Sequence, residues 1–226
     1  MVQVRYEIER HALVERLRGA GITSARVLRA FSEIPREAFM PSPLLRPVAY
    51  AALPVPIGGG QVLPQPLVLA RLLEQAGVAP LDRVLVVGSG SGYLTALAAC
   101  LARQVVGVEC NAHLAKQAAH TLQRIGVTNV MHKEADGCRG WPACAPYDVI
   151  LVTATASAVP PALLTQLRAG GRLLIPLGVQ LSSRAMLMAY ARRKLPPQQR
   201  YRFVRQPDGL TTEPLELMYA TSLIGA

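Results

Sequence analysis

The chain has 226 residues, with 24 Lys+Arg, 14 Asp+Glu, a formal net charge of +10 and 51% hydrophobic residues against 17% charged. Much apolar and little charged sequence excludes a disordered chain, and the length suffices for one large domain, or a core domain with an appendage. The base excess invites nucleic acid or anionic lipid as a partner, but it is local: residues 149–207 hold nine basic side chains and no acidic one.

The start, MVQVRYEIERH, has no apolar run and predicts no secretory signal. Cys100, Cys110, Cys138 and Cys144 lack metal-ligand spacing, so free thiols in the cytoplasm and no metal site are expected. Residues 6–40 read as helical. Ile8, Leu13 and Leu17 suggest one apolar face, Gly19–Gly21 ends a first helix, and Ser24 caps a second one carrying Val27, Leu28 and Phe31 up to Pro35. Residues 41–66, dense in proline and glycine, read as an ordered loop, and Leu67–Gln75 resumes helical spacing.

From Arg83 the period changes. Short apolar runs at Val84–Val87, Val105–Val108, Val127–Lys133, Val149–Val152 and Leu173–Pro176 alternate with helical stretches Tyr93–Ala102, Asn111–Ile125 and Pro161–Leu167. That alternation predicts an α/β fold, a doubly wound, mostly parallel sheet covered on both faces, with an N-terminal helical extension. Residues 1–80 would form the extension and covering loop, residues 81–226 the core. Ala185–Tyr190 and Leu215–Ala220 could be further strands, with a polar connection Ala191–Gly209 between them. Two uncharged 19-residue windows, Val84–Ala102 and Val149–Leu167, are long enough to suggest membrane spans, but Gly88–Gly92 and Pro160-Pro161 break them. No membrane partner is expected.

The sharpest local feature is Gly88-Ser89-Gly90-Ser91-Gly92 between the first core strand and its helix. Glycines there allow a tight turn and close backbone approach by a ligand, and the helix start favours an anionic group. A tight turn without ligand is the plain alternative. Glu109, 17 residues after Gly92, ends the second strand, where a carboxylate can hold both hydroxyls of a ribose or simply be solvated. Asp136, before Gly137, can accept from an adenine amino group or make an Asx turn. Three such sites at successive strand ends suit S-adenosylmethionine. The GxGxG spacing, with no evident pyrophosphate site, favours it over NAD.

The chain resembles a family. Phe39-Met40-Pro41, Ala49-Tyr50, Leu53-Pro-Val-Pro-Ile-Gly58-Gly-Gly-Gln61, Val84–Ala96, Asp136-Gly-Cys-Arg-Gly-Trp-Pro142, Ala145–Ala154, Val159–Leu164, Leu167–Gly178 and Arg202-Phe-Val204 are similar to protein-L-isoaspartate O-methyltransferases. The likeness runs from about residue 10 to 205. The Gly-Gln loop and the Arg-Gly-Trp-Pro segment make it specific, because neither is a general methyltransferase feature.

The resemblance implies a Rossmann-like class I methyltransferase that uses S-adenosylmethionine to methylate the carboxylate of isoaspartyl residues in damaged proteins, the first step of their repair. It implies cofactor contacts at Gln61, Val62, Gly88, Ser89, Gly90, Gly92, Glu109, Cys110, Asp136, Gly137 and Thr153. It places the substrate against Ile57, Gly58, Gly59 and Pro64.

One departure matters. The family loop usually reads Gly-Gln-Thr-Ile-Ser-Gln-Pro, and its Ser is considered important for activity; here the register is Gly60-Gln61-Val62-Leu63-Pro64-Gln65-Pro66. Both hydroxyls are gone, and Pro64 has no backbone N–H to offer instead. No catalytic residue is therefore named. The alternative is a divergent relative that binds S-adenosylmethionine but methylates RNA or another protein, or has lost the reaction. Nucleic acid is the weaker partner, because Val152-Thr153-Ala154-Thr155 lacks the Asn/Asp-Pro-Pro-aromatic segment of many adenine methyltransferases. Arg192-Arg193-Lys194 reads as a solvated cluster. Tyr93 could touch the cofactor or cover the first helix, Trp141 reads as a loop anchor, and Asp148 as a structural group before the fourth strand. No residue pattern points to a particular oligomeric state.

Overall fold

The computed structural model describes residues 2–178 and 198–218. Two helices, α1 (Val2–Gly19) and α2 (Ala25–Glu33), open the chain. Ser24 caps α2, its Oγ accepting from the N–H of Val27. Leu13, Val14 and Leu17 are buried, but Ile8 is 65% exposed, so it does not share their face. Five residues from Leu13, it points about 140° away on the helical wheel.

The segment read as loop holds regular structure. Residues Arg36–Phe39 and Pro43–Val48 form 3-10 turns, and β1 (Val55–Gly58) pairs antiparallel with β2 (Gln61–Leu63). Gly59 and Gly60, with φ of 57° and 70°, supply the two left-handed residues that a tight hairpin turn demands. The hairpin leads into α3 (Pro66–Ala76).

The core strands are β3 (Arg83–Val87), β4 (Gln104–Glu109), β5 (Val130–Glu134), β6 (Tyr147–Val152), β7 (Leu167–Leu177), β8 (Gln198–Gln206) and β9 (Gly209–Met218). They form one sheet in the order β5-β4-β3-β6-β7-β8-β9. The first five strands pair in parallel and β8 and β9 join antiparallel. This is the mixed sheet of a Rossmann-like fold with an antiparallel edge. Helices α4 (Tyr93–Ala99), α5 (Ala112–Arg124) and α6 (Pro161–Thr165) make the crossovers. Strand order reverses at β3, between β4 and β6, so the loops after β3, β4 and β6 open into one crevice.

Several sequence expectations are corrected. The helix at Pro161 stops at Thr165, because Leu167 already pairs with Tyr147 as β7 begins. The polar stretch 191–209 contains β8, and β9 starts before Leu215. Alternation explains β8: Tyr201 and Phe203 lie on one face with ring centroids 6.1 Å apart. Ala185–Tyr190 lies outside the described residues. The N-terminal helices share one apolar core with the sheet, since Leu13, Phe31, Leu69, Val86, Leu97 and Leu174 belong to a single buried cluster. A second cluster on the other face joins Val87, Val108, Ile150, Leu163 and Ile175. Among the described residues, no helix is long and apolar enough to cross a membrane.

The described arginines of the basic stretch are spent on folding, and Arg192-Arg193-Lys194 lies outside the described residues. Arg168 pairs with Asp148 at 2.6 Å, and Arg172 with Asp82 at 3.0 Å. Arg200, fully buried, donates to Gln75, and Arg205 to the Leu167 carbonyl at 2.6 Å. Asp148 lies inside β6 and also accepts from the Arg83 N–H at 2.7 Å, so its role is structural. Trp141 anchors its loop as expected, its N–H donating to Gln166 Oε1 and its ring lying under Lys133.

Candidate active site

The carboxyl ends of β3, β4, β5 and β6 meet in one place. β3 ends at Val87 and the chain turns through Gly88, Gly90 and Gly92, all with positive φ. The turn is tied to the neighbouring strand: the N–H groups of Gly88 and Ser89 donate to the Val108 carbonyl at 3.0 and 3.1 Å. A Cβ on Gly90 would lie 3.0 Å from Ile57 Cδ1 of the hairpin, so the glycine loop and the covering hairpin touch there. Gly88 has Thr153 across from it. Thr153 Oγ1 donates to the Gly88 carbonyl at 2.6 Å, bracing the turn from the end of β6. Gly92 serves packing, since a Cβ there would come 3.0 Å from Ala118 Cβ of α5.

Glu109 is only 5% exposed, which rules out the solvated reading. Its Oε2 accepts from the Gly90 N–H at 2.8 Å and its Oε1 from the Asn111 N–H at 3.0 Å. A buried carboxylate held by two backbone donors keeps further lone pairs for a diol. Cys110 beside it is exposed as a residue, but partial desolvation of its thiol and the Glu109 charge raise the thiol pKa. It is therefore a poor nucleophile.

Asp136 follows β5. Its Oδ1 accepts from the Cys138 N–H at 2.9 Å, the Asx-type turn, and its Oδ2 lies 3.9 Å from Arg139 Nε. The side chain stays 42% exposed, so the turn leaves it reachable. Gly137 is buried at the start of that turn.

Sequence reasoning missed four participants. His132 on β5 lies behind the glycine loop, its Nε2 2.7 Å from Ser89 Oγ. Burial pushes its pKa down to about 4. Its Nδ1 is buried and has no partner among the described residues, which favours the neutral tautomer whose Nε2–H donates to Ser89. Gly107 makes room for it: a Cβ there would be 2.8 Å from His132 Cδ2. Ser91 Oγ is buried in the glycine loop and has no partner among the described residues. Asn111 sits against the hairpin tip, with its Nδ2 where a Cβ of Gly59 would be.

Tyr93 does not reach the crevice. It is fully buried between Phe31 and Phe39, with ring centroids at 6.1 and 5.3 Å, and under the guanidinium of Arg36. Arg36, the fourth missed residue, is itself fully buried and donates to the Ala49 carbonyl at 2.7 Å and the Pro64 carbonyl at 2.8 Å. Pro64 therefore turns its carbonyl inward. Val62 is buried, Gln61 is half-buried, and Gly58 and Gly59 are exposed at the tip.

This constellation can cradle an adenosyl amino acid. Gly88 and Gly90 let Thr153 and Ile57 close on the turn, Ser91 offers a hydroxyl with no partner among the described residues, and the Glu109 carboxylate lies at the strand end. The family model for protein-L-isoaspartate(D-aspartate) O-methyltransferase matches residues 8–205. The chain belongs to that family.

Its relatives agree. The protein-L-isoaspartate O-methyltransferase of Synechococcus sp. is 48% identical over 158 residues, which is 70% of this chain and 64% of that protein. The Gloeobacter violaceus protein of the same name is 40% identical over 76% of this chain and 83% of its own length. A solved protein-L-isoaspartate O-methyltransferase superposes with a TM-score of 0.79 at 28% identity, covering 96% of this chain and 66% of that one. A Plasmodium falciparum structure in complex with S-adenosyl-L-homocysteine shares the fold at a TM-score of 0.77 and 22% identity, covering 94% and 96%. The family depends on S-adenosylmethionine, and the strand-end residues fit that cofactor.

Proposed function

We propose that this protein transfers a methyl group from S-adenosylmethionine to the carboxylate of isoaspartyl residues in damaged proteins, and so starts their repair. The observation that carries the reading is the buried Glu109 carboxylate bridging Gly90 and Asn111 beneath a glycine-tipped hairpin. Residues 81–226 form the binding core in this reading, and residues 1–80 the cover. Glu109 and Cys110 stand at the ribose, and Asp136 and Gly137 at the adenine. Gly88, Ser89, Gly90 and Gly92 surround the methionine end, with Thr153 bracing them. Gln61, Val62, Ile57, Gly58, Gly59 and Pro64 close over the two substrates.

S-adenosylmethionine supplies an electrophilic methyl on a sulfonium. An isoaspartyl α-carboxyl group has a reference pKa of about 3.5 and is already anionic at neutral pH. Its oxygen lone pair forms the new O–C bond, the C–S pair leaves with sulfur, and no proton moves. No general base is needed, which accords with the Nε2 of His132 being engaged by Ser89. The chain contributes alignment and exclusion of water. With no hydroxyl at positions 62 and 64, backbone N–H groups of the Ile57–Gln61 tip are the donors left to orient the acceptor. Losing one orienting hydrogen bond costs about 1–3 kcal/mol, a tenfold to hundredfold slower rate rather than none.

The deciding experiment is methylation of an isoaspartyl peptide with radiolabelled methyl donor, beside the same peptide with ordinary aspartate. Turnover above blank on the isoaspartyl peptide alone supports the reading. The altered loop favours one second reading, a cofactor-binding relative without this reaction. Tight S-adenosylmethionine binding in calorimetry with no transfer to peptide would select it. A cytoplasmic site of action fits four free cysteines.

A further inference from the structure

The covering segment has a closed base. The chain leaves the Pro43–Val48 turn at Ala49, runs through the hairpin and returns to α3 through Pro64. One buried guanidinium touches both ends: Arg36 Nε donates to the Ala49 carbonyl at 2.7 Å and Nη2 to the Pro64 carbonyl at 2.8 Å. A loop whose ends are joined in this way is a compact Ω-like unit. Two more arginines hold the next residue, Tyr50. Arg16 Nη2 donates to its carbonyl at 2.7 Å, and Arg10 Nε to its hydroxyl at 3.1 Å, which in turn donates to Glu37.

Arg36 has no carboxylate in ion-pair contact among the described residues. Its carbon Cζ lies 4.9 Å from the centre of the Tyr93 ring, whose face is its main charge-compensating neighbour. Burying a cation in this way is costly unless the geometry returns something. Here the return is placement. The tip of the loop that Arg36 closes bears on the cofactor site at two points, Ile57 on Gly90 and Gly59 on Asn111.

We propose that Arg36 is a positioning residue for the transfer reaction: by joining Ala49 to Pro64 it fixes the glycine-tipped hairpin over the acceptor site, where hydroxyls of the usual loop are missing. The kinetic part rests on the proposed isoaspartyl reaction, and the loop-mobility part does not. Arg36→Lys keeps the charge but cannot fork to two carbonyls. Assayed well below its melting temperature, it should raise the KM for isoaspartyl peptide by roughly tenfold or more, with the folded protein cleaved faster by protease at Gly58–Gly60. Arg16→Ala alters an exposed residue and should fold normally. It should change both readouts in the same direction, by roughly twofold to fivefold. If Arg36→Lys folds and leaves KM, kcat and loop cleavage at wild-type values, the proposal is wrong. If Arg36→Lys does not fold, Arg16→Ala decides, and unchanged loop cleavage there overturns it. If the wild type methylates no isoaspartyl peptide, the functional reading fails while the cleavage rates still judge the staple.

Discussion

Glu109 and Gly90 are joined by a 2.8 Å hydrogen bond that ties the glycine loop after β3 to the end of β4. The same carboxylate holds the Asn111 N–H that opens α5. Glu109 therefore shapes the glycine loop, and in the proposed reading its charge also holds the cofactor ribose. Glu109→Gln replaces one acceptor oxygen by an NH2 group that faces a backbone donor. Hydrogen bonds to charged groups contribute about 1.5–3 kcal/mol, so S-adenosylmethionine affinity should fall by roughly tenfold to a hundredfold. Calorimetric titration measures it, and affinity within twofold of wild type would remove Glu109 from the site.

Gly90 has a φ of +54°, and an added Cβ would meet Ile57 Cδ1 at 3.0 Å. The contact is with the flexible end of a side chain, so the backbone conformation dominates the penalty. Gly90→Ala should cost about 1–2 kcal/mol, a fall in melting temperature of roughly 2–8 °C for a chain of this size. Adding Ile57→Val should relieve the contact and leave the φ strain, recovering only part of the loss. Thermal denaturation of the single and double variants separates the two contributions.

The parallel sheet and the strand-end sites were legible because each rests on a local signal. Val84–Val87 followed by Gly88-Ser-Gly-Ser-Gly92 announces a strand and a turn, and Glu109 ends the next apolar run. The hairpin was hidden because Pro54, Pro56 and Gly58–Gly60 leave too short an alternation to register, although Gly-Gly between apolar pairs is itself a hairpin signal. β8 was hidden by its arginines, which made an alternating strand look like a polar connection. Arg36 and His132 gave no local sign at all. Their partners are Pro64, 28 residues away, and Ser89, 43 residues away. Such burial follows from tertiary packing and not from chain pattern.

His132 gives the protein an acid sensitivity of predictable sign. Its ordinary pKa is 6.5 and burial lowers it to about 4 in the folded state. Between those values the unfolded chain binds a proton that the folded chain refuses. This contribution to stability is therefore full above about pH 6.5 and is lost as pH falls toward 4, to a total of about 3 kcal/mol. His132→Gln retains a donor for Ser89 and does not titrate, so its denaturant midpoint should fall less than the wild type's between pH 6.5 and 4. Parallel curves for the two proteins would show that another group is responsible.

Pro64→Ser restores a hydroxyl at the position where the family usually carries one, and its carbonyl can still accept from Arg36 as Pro64 does at 2.8 Å. Two effects oppose each other. The new hydroxyl can orient an acceptor oxygen, a gain of about 1 kcal/mol in the transition state and roughly fivefold to tenfold in kcat. Replacing proline also frees the unfolded chain and loosens the end of the covering loop, by about 0.4–1 kcal/mol in stability. The rate effect should dominate below the melting temperature, because the Arg36 staple keeps position 64 in place. Pro64→Ser should therefore methylate isoaspartyl peptide several-fold faster than the wild type, with S-adenosylmethionine affinity unchanged and a melting temperature roughly 1–4 °C lower. A kcat equal to the wild type's would mean that the backbone donors of the Ile57–Gln61 tip already orient the carboxylate fully. The hydroxyl would then add nothing in this chain.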